Sequence, residues 1–150
     1  MQSLVSATNF RTFALLLAVA ACSGSAATGP QAELHDARSR WVAQAPASYS
    51  MVVNRLCECL PEMADRALIT VRNGVVESRR YVANGNDVPP EYASGYPTVP
   101  EMFAMIEEAM RNDVRPIEVQ YAPAGYPTRI SIGDPAVDAP VILVSEFHAL

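Results

Sequence analysis

A helical segment followed by three strand segments occurs twice along this chain of 150 residues. The helical segments have apolar residues three and four apart, whereas the strand segments alternate or are short and apolar. The helical segments cover residues 31–45 and 98–110, and the strand segments cover 49–54, 68–71, 75–82, 117–121, 128–132 and 141–147. Because strands joined by short turns pair antiparallel, this pattern predicts an α+β two-layer sandwich. Two helices would lie on one face of an antiparallel sheet of about six strands, in the order αβββ-αβββ. Whether the two halves form one continuous sheet is left open.

Two short motifs mark the boundaries of these elements. Asn73-Gly74 lies between two apolar segments, and it favours a type I′ turn because both central residues of that turn have positive φ. We therefore predict a β-hairpin there. Thr98 and Glu101 have the spacing of a capping box, in which each side chain accepts a hydrogen bond from a backbone amide at the start of the helix. Residues 83–97 are rich in Gly, Pro and Asn and predict a loop.

The first 22 residues have the pattern of a bacterial export signal. Residues 13–21 are apolar, follow Arg11 and are too short to cross a bilayer, which needs about 20 apolar residues. The sequence Val19-Ala20-Ala21-Cys22 resembles the lipobox of bacterial lipoproteins, in which the cysteine thiol is acylated and the chain is cleaved before it. This predicts a lipoprotein signal peptide at residues 1–21 and lipidation of Cys22, with palmitate among the acyl groups. The alternatives are a secretory signal without lipid and a buried amino-terminal helix.

The segment after the predicted cleavage site is small and polar. Its composition predicts a flexible tether at residues 22–32, followed by a single α+β domain at residues 33–150. Such a protein is expected to be exported and lipid-anchored, facing the periplasm or the exterior. Ser23 resembles the residue at this position in lipoproteins sent to the outer membrane, so we expect that membrane where the cell has two.

The composition disfavours several classes of function. After Arg11 leaves with the signal, ten arginines and sixteen acidic residues remain, a net charge of −6 with histidine neutral. This charge disfavours binding to nucleic acid or to anionic headgroups. The chain has no lysine, which excludes a Schiff base and a P-loop lysine. We expect membrane contact through the N-terminal lipid, and envelope proteins as partners.

Cys57 and Cys59 are the side chains that most suggest chemistry. Export permits oxidation, and lipidation of Cys22 leaves these two cysteines as a pair. Residues i and i+2 of a flat strand lie about 6.6 Å apart, near the upper limit for a disulfide, so the predicted structural disulfide needs a bend between them. Two alternatives stay open: a Cu(I) site with Met51 or Met63, and a strained, redox-active disulfide.

A few other residues are candidates for contact with a partner. Tyr92, Tyr96, Tyr126 and Trp41 are expected to line a partner-binding surface, because aromatic residues are enriched at interfaces. Arg79-Arg80 suggests either contact with an anion or charge that protects an edge strand.

The sequence predicts no catalytic site, metal site or cofactor. Ser145 and His148 are three residues apart, so strand alternation places them on opposite faces of the sheet. No Gly-x-Ser-x-Gly motif is present, and we expect a protein that is not an enzyme.

Several motifs occur in the order seen in one bacterial family. They are Trp41, Tyr49-Ser50-Met51, Cys57-Glu58-Cys59, Val71-Arg72-Asn73-Gly74, Thr98-Val99-Pro100-Glu101-Met102-Phe103, Gly125-Tyr126-Pro127 and Ile130-Ser131-Ile132. In this order they resemble domain of unknown function 6174, a family of small exported bacterial proteins that are often lipoproteins. The resemblance covers residues 34–148 and implies a fold but no activity.

These observations together predict a lipid-anchored protein of the bacterial envelope that acts as a non-catalytic interaction or structural module. The alternative is a soft-metal (copper) handling or thiol-redox protein that uses Cys57 and Cys59.

Overall fold

The computed structural model describes residues 29–134 and 139–150. The predicted signal peptide, Cys22 and the predicted tether as far as residue 28 lie outside the described residues. Residues 30–32, where the predicted tether overlaps the helical segment predicted from residue 31, form the first turn of a helix, and the fixed φ of Pro30 suits the first helical position. None of the helices in the described ranges combines the length and the apolar composition needed to cross a bilayer.

The described chain contains three α-helices, one 3₁₀ helix and six strands. In chain order these are α1 (Pro30–Gln44), β1 (Tyr49–Leu56), α2 (Pro61–Ala64), β2 (Ala67–Arg72), β3 (Val75–Tyr81), the 3₁₀ helix (Pro90–Gly95), α3 (Val99–Arg111), β4 (Ile117–Tyr121), β5 (Pro127–Ile132) and β6 (Val141–Ala149). The predicted helices and strands all form, with bounds that shift by one or two residues. The four-residue α2 and the 3₁₀ helix inside the predicted loop are additions to the prediction.

All six strands belong to one antiparallel sheet in the order β3-β2-β1-β6-β5-β4. Each half of the chain forms a three-stranded meander, and the two meanders join where β1 pairs with β6, from Tyr49 opposite Ala149 to Leu56 opposite Val141. The sheet is therefore continuous, and the protein has an α+β fold with an antiparallel sheet, as predicted.

The two boundary motifs form as predicted. Asn73 and Gly74 both have positive φ, 48° and 78°, and connect β2 to β3 in a tight hairpin. At the start of α3, the Glu101 amide donates to Thr98 Oγ1 at 3.4 Å, and the Thr98 amide donates to Glu101 Oε2 at 2.6 Å. Together these bonds complete a capping box.

The hydrophobic core combines residues of α1 and α3 with alternate residues of the strands. α1 contributes Leu34, Ala37 and Trp41, and the core face of α3 contributes Val99, Met102, Phe103 and Ile106. The strands contribute Tyr49, Met51, Val53, Ala67, Ile69, Val71, Ile130 and Ile142, all of them buried. Because side chains alternate across a strand, the intervening residues lie on the opposite face of the sheet.

Gly125 allows the turn between β4 and β5 to lie directly against α1. Its φ is +96°, and a Cβ at this position would overlap the carbonyl oxygen of Ala37 and lie 2.7 Å from the amide nitrogen of Trp41. Only glycine accommodates both this backbone conformation and this close approach. The contact positions the C-terminal half of α1 over the end of the sheet.

A β-bulge in β6 corrects the prediction for Ser145 and His148. Ser145 lies opposite Val52 and His148 lies opposite Ser50, with a register shift between the two pairs and a positive φ of 52° at Glu146. Because Ser50 and Val52 lie on the same face of β1, the bulge brings Ser145 and His148 to that face too. The prediction of opposite faces was wrong, because strict alternation does not account for an inserted residue.

Candidate functional site

Cys57 and Cys59 lie in a bend immediately after β1 ends at Leu56. Both side chains are half-buried, their Cα atoms are 5.3 Å apart, and their sulfur atoms are at disulfide-bonding distance. The Cα separation falls within the usual range for a disulfide and is shorter than the spacing of about 6.6 Å in a flat strand. The predicted bend is therefore present at the position of the cysteine pair.

The two methionines suggested as soft-metal ligands differ in their distance from the cysteine pair. Met51 is fully buried in the core, and it precedes Cys57 by six strand residues, a distance of about 20 Å along β1. It cannot contact the cysteine pair in this fold. Met63 lies in α2, close to the cysteines in the chain, and is half-buried. Across the described ranges, no group of three or more His, Cys, Asp or Glu residues is arranged to hold a metal ion.

The four aromatic residues expected at a partner surface all contribute to the core. Trp41 is 6% exposed and Tyr96 is fully buried, while Tyr92 and Tyr126 are half-buried and pack against the core. The Trp41 ring lies edge-on to Tyr49 and Tyr126, with centroids 5.7 and 6.0 Å apart. Burial of Trp41 and Tyr96 gives them a packing role, and leaves Tyr92 and Tyr126 as the two that reach the surface.

A polar network that the sequence did not predict joins β3 to the start of α3. Arg79 faces the helices, opposite Ile69, and its side chain is only 18% exposed. It donates to the carbonyl oxygen of Tyr96 at 2.9 Å and to Glu101 Oε2 at 2.9 Å. Burial alone would raise the pKa of Glu101, but hydrogen bonds from Thr98 and the positive charge of Arg79 outweigh it and lower that pKa.

The two arginines of β3 both bind acidic residues of the same chain. Arg79 binds Glu101, and Arg80 binds Asp87 with 3.2 Å between Nε and the carboxylate oxygen. Both arginines that suggested an anion site therefore bind carboxylates of the same chain, and the Arg80 side chain stays 59% exposed. The residues therefore tie β3 to the segments that follow it.

Two tyrosine hydroxyls hold neighbouring segments together. The Tyr96 hydroxyl donates to the carbonyl oxygen of Asp65 at 2.7 Å, and burial raises the pKa of Tyr96 to about 12. The Tyr49 hydroxyl accepts a hydrogen bond from the Val99 amide at 3.3 Å, one of the free amides at the start of α3. Burial raises the pKa of Tyr49, although the bond from Val99 acts in the opposite direction.

The sheet has a second apolar surface on the side opposite the residues that pack against α1 and α3. We call it the far face; its apolar residues are Val52, Leu56, Leu68, Val141 and Leu143. Leu56 and Leu68 are 47% and 38% exposed, whereas Val52 is buried. An exposed ion pair between Arg66, next to β2, and Glu146 of β6 spans β1, which lies between those strands.

The far face, the cysteine pair and the network at β3 differ in the chemical groups that they present. The far face presents apolar side chains together with ion pairs, Arg66 with Glu146 and Arg80 with Asp87, a combination suited to contact with another macromolecule. The cysteine pair offers oxidation and reduction. The network around Glu101 has its hydrogen-bonding groups engaged within the chain and stabilises the start of α3.

Comparison with known proteins gives one match. A model of the family of unknown function DUF6174 matches residues 33–148. This range includes every helix and strand, apart from the first three residues of α1 and the last residue of β6. Neither the curated proteins nor the solved structures give a match to this chain. Since the family model covers most of the chain, this protein belongs to the DUF6174 family.

Proposed function

We propose that this protein is a lipid-anchored component of the bacterial envelope that acts as a non-catalytic interaction or structural module. The observation that carries the proposal is the far face, on which Leu56 and Leu68 remain exposed on a sheet whose other face is filled by core residues. The proposed arrangement has two layers, with α1 and α3 together on the core side in an αβββ-αβββ order. That arrangement leaves the far face available to envelope proteins.

The anchor is proposed at Cys22, eight residues before the first residue of α1. Eight extended residues span at most about 28 Å, which would hold the domain close to the membrane surface. The test is incorporation of radiolabelled palmitate into the full chain and into a Cys22→Ser variant. Labelling of the wild type alone supports the anchor. Normal cleavage and release of Cys22→Ser, with no label in the wild type, would contradict it.

The interaction surface is tested by placing a photo-crosslinking amino acid at Leu68 in the full chain. A matched control carries the same amino acid at Val42, which is 73% exposed on α1. We expect discrete crosslinked species from position 68 in intact cells and none from position 42. Equal crosslinking from both positions, or none from either, would argue against the far face as the contact surface.

The second candidate function uses Cys57 and Cys59, which are half-buried and at disulfide-bonding distance. A thiol-redox or copper-handling protein needs a pair that reduces readily or holds Cu(I). Mass spectrometry of the purified protein without reductant distinguishes this function from a structural disulfide. A mass lower than the reduced form by two hydrogen atoms, which persists in mild reductant, supports the structural link. Ready reduction or a copper adduct supports the second function.

A further inference from the structure

β4 forms one edge of the sheet, and three of its five residues have backbone groups that point away from the sheet. The Gly133 amide donates to the carbonyl oxygen of Pro116 at 2.8 Å, so Pro116 and Gly133, which face each other, form a hydrogen-bonded pair of the ladder. Bonded and non-bonded pairs alternate in an antiparallel ladder, so the even-numbered residues of β4 bond to β5. Ile117, Val119 and Tyr121 therefore direct their N–H and C=O groups outward. No other described strand pairs with them.

The opposite edge of the sheet is protected. Along β3, Arg80 forms a β-bridge with Asp87, and the Val88 amide donates to the carbonyl oxygen of Arg79 at 2.9 Å. The segment 86–88 thus covers part of that edge, and a register shift interrupts β3 near Val76. Native sheets commonly protect their edges in these ways. The β4–β5 ladder also has a register shift, between Gln120 and Tyr121, but no described segment pairs with the outer side of β4.

A groove runs beside β4. It has a volume of about 300 Å³ and lies between the strand and the first turn of α1, which contributes Pro30 and Glu33. All five residues of β4, from Ile117 to Tyr121, line it. Since neighbouring strands lie about 4.8 Å apart, the groove provides space beside the outward backbone groups for side chains of an added strand.

We infer that a second copy of this chain binds at this edge, with its β4 antiparallel to the first and a two-fold axis at Val119. This register places Val119 opposite the partner's Val119 and Ile117 opposite the partner's Tyr121. Each outward-pointing residue then meets an outward-pointing residue, as hydrogen-bonded pairs require. The isologous contact joins two six-stranded sheets into one.

The side chains of β4 are complementary in the same register. On the core side, Val119 lies opposite the partner's Val119, and Ile117 of each copy lies opposite Tyr121 of the other. Such β-branched and aromatic pairs stabilise antiparallel strands. On the other side, Glu118 lies opposite the partner's Gln120, which neighbours the partner's Arg129 on β5. Neither Glu118 nor Arg129 has an ion pair among the described residues. The dimer brings these opposite charges together at two equivalent positions.

The symmetry also suits two copies in one membrane. A two-fold axis perpendicular to the sheet keeps both core sides on the same side of the joined sheet. Pro30 lines the groove, so α1 begins beside the junction in each copy. The first helices of both copies then begin on one side of the joined sheet. The pairing goes beyond the proposed function and does not depend on lipidation of Cys22.

The test is a disulfide crosslink in cells that express the full chain with Val119→Cys. Hydrogen-bonded antiparallel pairs have Cα atoms about 5.5 Å apart, within the range for a disulfide. After diamide treatment, we expect a band of twice the mass on a non-reducing gel, and its loss on reduction. Wild type and Val75→Cys, which places a cysteine at a 70% exposed site on the other edge, should lack that band.

A second pair of variants tests the same register if Val119→Cys fails to fold. Glu118→Cys and Gln120→Cys, both at exposed positions, are expressed as two differently tagged copies and should crosslink to each other. In the Val119→Cys background, Glu118→Arg should reduce the crosslink several-fold, and adding Arg129→Glu should restore it. Absence of a crosslink in both cysteine designs, or an equal crosslink from Val75→Cys, would overturn the inference.

Discussion

Arg79 of β3 binds Glu101 in the first turn of α3, with 2.9 Å between Nη2 of the arginine and Oε2 of the glutamate. The same carboxylate oxygen accepts the Thr98 amide at the start of the helix. One side chain therefore caps α3 and connects it to the sheet. The negative charge of Glu101 also lies at the helix end where the macrodipole favours it.

Glu101→Gln should lower stability at neutral pH by less than about 1 kcal/mol, because the carboxylate is 54% exposed and solvent screens its ion pair. The pKa of Glu101 is lowered from 4.5 in the folded protein. Its stabilising charge is therefore complete above pH 4.5 and is lost as the pH falls through the lowered value. Urea unfolding of both proteins at several pH values should show their difference shrinking in acid. A constant difference would contradict this.

Thr98→Ala should lower the free energy of unfolding by about 1 kcal/mol, because it removes the side-chain acceptor for the Glu101 amide. Thr98→Ser is the matched control, since it keeps the hydroxyl and should retain most of the stability. Urea unfolding followed by circular dichroism measures both. Equal losses in the two variants would show that the methyl group, and not the cap, carries the effect.

Gly125→Ala should destabilise the protein by more than about 1 kcal/mol, because the new Cβ would meet the backbone of α1 at a residue with positive φ. Gly85→Ala is the control: φ is +73° there as well, but a Cβ would have no atom within 4 Å. Thermal unfolding, followed through the single tryptophan of the chain, compares the two. Similar losses would mean that backbone strain alone accounts for the effect.

Tyr96→Phe should cost about 1–3 kcal/mol at neutral pH, because the carbonyl oxygen of Asp65 loses its buried donor. The pKa of Tyr96 is raised from 10 to about 12, so the folded state holds this proton more tightly than the unfolded state. The resulting contribution to stability is complete below pH 10 and is lost as the pH rises through about 12. Unfolding measured from pH 8 to 12 should show wild type and variant converging. A gap that stays constant would refute the coupling.

Replacement of Cys57 and Cys59 together by serine should lower the free energy of unfolding by less than about 2 kcal/mol, because a disulfide that closes three residues restricts the unfolded chain little. Wild type in strong reductant should lose a similar amount. Chemical unfolding with and without reductant measures both effects. A much larger loss in the variant would assign the pair a wider role in the fold.

The local elements of the fold were predictable because their signals are local. Asn73-Gly74 needs only the φ preference of two residues, and the Thr98–Glu101 box needs only one helical turn. The four residues of α2 are too few for a periodic pattern, and the 3₁₀ helix lies within a stretch rich in Pro and Gly. Neither element could be recognised from spacing.

The candidate sites were less predictable because they depend on contacts distant in the chain. The bend at Cys57 and Cys59 was expected from their spacing. Burial of Trp41 and Tyr96 was not expected, because residue type alone does not show whether an aromatic side chain lies in a core or at a surface. The bond between Arg79 and Glu101 spans 22 residues, and only the assembled sheet brings the two side chains together.

The pairing of β1 with β6 sets when this fold can be completed. β1 pairs with β2 on one side, and its neighbour on the other side is β6, which comes after all the other strands in sequence. The middle of the sheet can therefore close only after β6 has been synthesised. Until then, each meander lacks a neighbour along one side. A nascent chain therefore remains incompletely folded until β6 has emerged from the ribosome.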